Sequence, residues 1–142
     1  MIIEFELANN PYVTSQEKGI NFNQRKVYEK PEVAAMRYEY ALQIRRVLRL
    51  RGEDVPTFQK AVRLKVTFYF KTADRRAWGR LKVSKPDCDN AIKLLQDVMA
   101  DLGFFVGGDQ QVAVLVVKKF WASSARVKID VEEVSDDIYR AV

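Results

Sequence analysis

KPDCDNAIKLLQDVMADLGFFVGGDQQVAVLVV, residues 85–117, passes from two closely spaced carboxylates into a helical pattern, through a glycine-marked turn, and into a nearly unbroken apolar run. Ile92, Leu95, Val98, Met99 and Leu102 recur at threes and fours, the spacing of one helix face, and Gly103 stands where a helix would stop. QVAVLVV, residues 111–117, reads as a strand buried on both faces. A helix leading directly into such a strand argues for a sheet with helices laid on it.

The flanking sequence supplies the rest of the sheet. Val62, Leu64, Val66, Phe68 and Phe70 alternate with Arg63, Lys65, Thr67 and Tyr69, so residues 62–70 form a strand with one apolar face. Ile3, Phe5 and Leu7 alternate with Glu4 and Glu6, and Val127, Ile129 and Val131 repeat the pattern near the end, with the acids of that strand and tail on the solvated side. From Pro31, the residues Val33, Met36, Tyr40, Ile44 and Val47 define a first helix that should end near Gly52. Residues 8–30, with Asn9, Asn10, Pro11, Gly19, Asn21 and Asn23, lack periodicity and read as a long loop. The expected fold is α+β, one domain over 1–142, with a small mixed sheet of about four strands covered by two main helices.

Composition narrows the chemistry. The 142 residues contain no histidine, so His-based nucleophile triads, histidine general bases and ordinary His/Cys zinc sites are excluded. Any metal must be held by oxygen, which favours hard cations such as Mg²⁺ or Mn²⁺. The single cysteine, Cys88, forms no internal disulfide and reads as a buried filler. No apolar run suggests a membrane span and no signal-peptide pattern opens the chain, so a cytoplasmic location is expected.

The net charge of +5 is unevenly placed. Residues 121–142 hold two more acids than bases, leaving +7 on residues 1–120 and pointing to a polyanion partner. KTADRRAWGRLKVSK, residues 71–85, concentrates that charge: Arg75, Arg76, Arg80, Lys82 and Lys85 surround Trp78. Guanidinium groups pair with phosphate and an indole stacks on an exposed base, so this is a candidate DNA-binding segment. A solvated loop with Trp78 against the core is the plainer alternative. Arg37, Arg45, Arg46, Arg49 and Arg51 on the first helix carry the same ambiguity.

The placement of Asp87 and Asp89 depends on the helix start. In extended backbone, residues two apart share a side; in a helix they diverge. If residues 85–88 are extended and Asp89 caps a helix beginning at Asn90, the two carboxylates face one pocket, which Lys93 reaches from one turn inside. The helix over 90–102 is about 20 Å long, and residues 103–108 span roughly 20 Å when extended, so the chain can return Asp109 to the helix start. Asp97, four residues after Lys93, reads as its ion-pair partner. Three aspartates and a lysine on a basic chain suit metal-assisted phosphodiester hydrolysis. The plainer alternative makes Asp89 a simple cap and leaves Asp87 solvated.

Residues 85–112 resemble the signature of RusA-type Holliday junction resolvases: an Asp-x-Asp-Asn step, a lysine four residues beyond the second aspartate, a helix, a Gly-aromatic turn and Asp-x-Gln-Val. The likeness extends over most of the chain. It implies a Mg²⁺-dependent homodimeric endonuclease, with Mn²⁺ as a substitute, that makes paired nicks in four-way DNA junctions during recombination and repair. At matching positions it makes Asp87, Asp89 and Asp109 the metal carboxylates and Lys93 the catalytic lysine. One departure is visible: the family commonly has adjacent acids before x-Gln-Val, whereas Gly108 precedes Asp109 here. The competing expectations are a non-catalytic DNA-binding module and a nuclease for flaps or forks.

Overall fold

A computed structural model describes residues 1–11, 18–21 and 26–138. Six strands and two α-helices follow the order β1 (Ile2–Leu7), β2 (Lys18–Asn21), β3 (Lys26–Glu29), α1 (Pro31–Leu50), β4 (Val62–Lys71), α2 (Cys88–Leu102), β5 (Val112–Ala122) and β6 (Arg126–Glu133). The main sheet has the order β1-β6-β4-β5. β6 runs antiparallel to both of its neighbours, and β4 and β5 are parallel, joined through α2. The mixed sheet with two helices is the α+β arrangement the periodicities predict.

One face of this sheet is the floor of the core. Ile3, Phe5 and Leu7 of β1, Val62, Leu64, Val66 and Phe68 of β4, and Val127, Ile129 and Val131 of β6 are all buried. Against them pack Val33, Tyr40, Ile44 and Leu48 of α1 and Ala91, Ile92, Leu94, Leu95, Val98 and Met99 of α2, all in one apolar cluster. At roughly 25 cal/mol per Å² of apolar surface, this burial is the main favourable term for the fold. The opposite face carries charge. Arg63 pairs with Glu132 beside it, and Arg126 pairs with Glu6 at 3.2 Å across the β1–β6 ladder. Asp130 and Glu132 of the last strand thus lie on this charged face but are half-buried there and not open to solvent, and Glu133 falls on the other side, accepting from Gln59 N–H at 3.1 Å.

Both helices stop where glycine allows a left-handed turn. After α1, Gly52 (φ 70°) donates its N–H to the Arg49 carbonyl at 2.9 Å. After α2, Gly103 (φ 96°) does the same to Ala100 at 3.1 Å while Phe104 N–H reaches back to Met99 at 3.1 Å, closing the last carbonyls.

Two expectations fail here. The long loop over 8–30 contains a hairpin instead: β2 and β3 pair antiparallel from Lys18↔Glu29 to Asn21↔Lys26. Each strand is only four residues long, and β2 itself contains Gly19 and Asn21, so alternation is too short to register against turn-forming composition. The rest of that predicted loop, residues 12–17 and 22–25, lies outside the described residues, as does Arg140 of the tail. The second failure is β5, which is an edge strand and is not buried on both faces: Ala113, Leu115 and Lys118 are exposed. An apolar run states hydrophobicity without stating neighbours, and here β6 took the inner place next to β4.

Candidate active site

The apolar stripe of α2 faces the core, so the stripe at four-residue spacing on its other side, Asp89, Lys93, Asp97 and Asp101, is left for solvent. Asp89, Lys93 and Asp97 line one cavity of about 320 Å³ with Asn90, Ile92 and Gln96, and its far wall is Asp109 and Leu115. Asp109 therefore lines the same cavity as the exposed side of α2, a return that the chain length permits.

Its delivery depends on the turn before β5. Asp109 opens a single 3-10 turn, Asp109–Gln111. The Gln111 side chain fastens that turn: its amide N–H groups donate to the carbonyls of Phe58 (2.6 Å) and Lys60 (2.7 Å), and its oxygen accepts from Gly107 N–H (2.8 Å). Gly108 adopts φ 83°, ψ −173°, a backbone conformation that L side chains rarely take, so glycine is the residue that fits. The glutamine of the Asp-x-Gln-Val step is a structural tie for the aspartate two residues earlier.

Asp87 and Asp89 do not share one extended side. The helix begins at Cys88, so the N-cap is Asp87, in extended backbone at φ −67°, ψ 152°, and Asp89 is already in the first turn. Both aspartates are favoured cap residues, and composition alone does not choose between them. The Asp87 carbonyl accepts the first helical bond from Ala91 N–H at 3.0 Å, while its carboxylate makes no capping hydrogen bond. Asp87 is exposed and is not among the residues that line the Asp89–Asp109 cavity. Cys88 is exposed too, with Sγ 3.9 Å from the Val117 carbonyl; the apolar stripe starts at Ala91, too late to bury it. The expectation of a buried filler is corrected accordingly.

Asp97 is the residue that the sequence reading undervalued. Burial pushes its carboxyl above the ordinary carboxylate range; Arg37 of α1 opposes that shift, Asp109 adds to it, Lys93 opposes it and Asp101 adds to it. Asp97 thus belongs to the charge cluster around the cavity as well as to Lys93, and Arg37 reaches the same cluster from the other helix. The four-residue spacing of positions 89, 93 and 97 was the available signal.

Among the described residues, no three acidic or cysteine side chains converge closely enough to hold a metal ion between them. The donors nonetheless fit a hard divalent cation in kind. They are carboxylate oxygens, Asp89 and Asp109 open on one cavity, and the Asp87 carboxylate is not committed to capping.

The basic segment precedes this site in the chain. Arg75–Ala77 form a 3-10 turn capped by Asp74, which accepts from Arg76 N–H at 3.1 Å and pairs with Arg76 Nε at 3.2 Å. Trp78 is held by its indole N–H on the Thr72 carbonyl (2.9 Å) and by the Arg75 guanidinium 5.8 Å from its ring, and it remains 42% exposed. Arg75, Arg76, Arg80 and Lys85 are exposed, and Arg76 and Arg80 border a cavity of about 480 Å³ with Asp74 and Trp121. Trp78 is therefore available for stacking and is not sunk in the core. Lys82 departs from the group: it is buried, and its ammonium donates to Ser84 Oγ and the Lys85 carbonyl, so it does not join the exposed cations. Of the arginines expected on the first helix, Arg51 stands just past its end and is engaged, donating to the Glu4 carbonyl of β1 at 2.5 Å and pairing with Glu53 at 3.2 Å. Among the described residues, no helix is long and apolar enough to cross a membrane.

Comparison with known proteins identifies the family. A model of the family "Endodeoxyribonuclease RusA" matches residues 8–132. The chain is 32% identical over 133 residues to the "Crossover junction endodeoxyribonuclease rusA" of Lactococcus phage r1t, covering 92% of this chain and 96% of that protein. The chain belongs to the RusA family of endodeoxyribonucleases.

Proposed function

We propose that this endodeoxyribonuclease resolves four-way (Holliday) DNA junctions by paired phosphodiester hydrolysis, acting as a homodimer in the cytoplasm. The observation that carries the assignment is the open cavity that Asp89, Lys93 and Asp109 line together, shortly after the exposed Arg75, Arg76, Trp78, Arg80 and Lys85 in the chain.

Asp87, Asp89 and Asp109 would hold Mg²⁺, or Mn²⁺ in its place. When bound, the cation supplies charge neutralisation at the phosphate, a lowered pKa for the attacking water and stabilisation of the leaving 3′-oxygen. Lys93 stands four residues after Asp89 on the same helix stripe, and its ammonium offsets charge growing on the phosphate oxygens. The exposed arginines and Lys85 hold the phosphate backbone, and Trp78 offers a ring for a base unstacked at the branch point. A two-fold dimer presents two such sites to two strands of a two-fold junction.

The test is incubation with a labelled synthetic four-way junction, a flap and a fork, with and without Mg²⁺, alongside sedimentation of the free protein. Symmetric, Mg²⁺-dependent nicks in the junction and a dimer mass are expected. Binding without cutting would leave a non-catalytic DNA-binding module, and a preference for flaps or forks would replace the junction as substrate.

A further inference from the structure

Two lysines hold the approach to α2 from within. Lys82, 8% exposed, is the one buried charged side chain among the described residues. Its Nζ lies 4.4 Å from the Trp121 ring centre and 5.3 Å from that of Phe70, and donates to Ser84 Oγ at 2.6 Å and to the Lys85 carbonyl. Lys119 of β5 donates its ammonium to the Ser84 carbonyl at 2.8 Å and to the Pro86 carbonyl. Three consecutive carbonyls, those of residues 84, 85 and 86, therefore end on two ammonium groups, and the next residue is Asp87.

The segment is anchored at both ends as well. Lys82 N–H donates to the Lys119 carbonyl at 2.9 Å and Trp121 N–H to the Arg80 carbonyl at 3.0 Å, which adds residues 80–82 to the β5 edge. At the other end, the Asp87 carbonyl starts the helical ladder. The carbonyls between these anchors belong to no ladder, and polar backbone groups left without partners are costly. Placing two cations together is costly too: burial and then the Lys119 charge push the Lys82 ammonium below its ordinary pKa. Two aromatic faces and three carbonyl dipoles offset that cost. Neither lysine belongs to the apolar core cluster, so their contacts fix the path of the loop and leave the packing of the sheet to other residues.

We propose that Lys82 and Lys119 are positioning residues, which set where the segment 84–86 delivers Asp87 to the active site and do not themselves contact DNA. The proposal rests on the reading of Asp87 as a metal carboxylate. Groups that orient a metal ligand from behind typically govern activity or metal affinity by about 10–100-fold.

The test uses the full chain with Lys82→Met and Lys119→Met, which keep the apolar stem and remove the donors, and Lys119→Arg, which restores donors. Expected for each Met variant is a single-turnover cleavage rate about 10–100-fold lower and a higher Mg²⁺ concentration at half-maximal rate. Junction affinity measured in EDTA should stay within about twofold, since no phosphate contact is removed. Lys119→Arg should recover most of the rate. Hydrogen exchange of amides in residues 84–91 should quicken in the Met variants, with β4 and β6 unchanged. A loss of junction affinity in step with the rate would make these lysines phosphate contacts and overturn the proposal, as would unchanged exchange. Should Lys82→Met fail to fold, the half-buried Lys119 carries every readout alone. If the wild-type chain nicks no DNA, the endonuclease reading fails on that result, while the exchange data still decide whether the lysines position the segment.

Discussion

Asp87 and Asp89 sit on different kinds of backbone, one extended and one helical, and this separates their roles at the scale of single residues. Replacing Asp87 by Asn removes a carboxylate close to where phosphate must lie, so cleavage should fall by at least about 100-fold while junction binding is kept or improved. Equal loss of both, by gel shift and strand-nicking assay, would count against a metal role. Asp97 makes a prediction of its own. Its folded-state pKa is raised, chiefly by burial, so the native state binds that proton more tightly than the unfolded chain. The ionised form therefore costs stability above the raised pKa, and the cost disappears as pH falls through it toward 3.8. In metal-free protein, Asp97→Asn should be more stable than wild type at neutral pH, and the difference should shrink on acidification, as urea unfolding at a series of pH values will measure. The identity of these aspartates as candidates was legible from residue type and spacing. The direction each side chain takes was not, because a one-residue change in helix start redirects a carboxylate and both aspartates are good caps.

At the scale of elements, α2 and the turn after it deliver both walls of the cavity. Gly103 ends the helix in a left-handed conformation, with open space around the position of an added Cβ, so Gly103→Ala should cost only the backbone strain, about 1–2 kcal/mol. Gln111 makes three hydrogen bonds, two that bind the 107–111 turn to residues 58–60 and one that closes the turn on Gly107. Its replacement by Ala should destabilise by about 2 kcal/mol, summing modest net contributions per bond, and should lower activity further by freeing Asp109; denaturant midpoints and nicking rates on the same variant separate the two effects. Long elements were readable because α1, α2, β4 and β6 repeat their periods several times. β2 and β3 were not, being four residues each, and β5 was misplaced because apolarity does not distinguish an inner strand from an edge.

Across the whole molecule, the exposed positive charge lies on the loop that leads into α2, and α2 lines an acidic cavity, a combination suited to holding a phosphate backbone and binding a cation. Junction affinity should fall steeply with salt. Replacing Arg75, Arg76 and Arg80 by Ala should flatten the log-log salt slope by about 0.9 for each phosphate those guanidinium groups neutralise, without changing the cleavage position, as titrations across a salt series will report. Replacing Lys82, in contrast, should leave that slope alone, since its ammonium is spent on Ser84 and Lys85.

By itself the sequence determined the α+β class, the helix that carries the site, the absence of histidine chemistry and the set of candidate carboxylates, because these follow from residue type and local period. Only the tertiary structure decided which of them line a common cavity. Asp109 faces the cavity of Asp89 and Lys93 through a turn fastened by Gln111 to a distant segment, and Lys82 turns inward because Trp121, Phe70, Ser84 Oγ and the Lys85 carbonyl offer its charge a place. Such outcomes depend on contacts between residues far apart in the chain, and no local pattern encodes a partner that folding has yet to bring near.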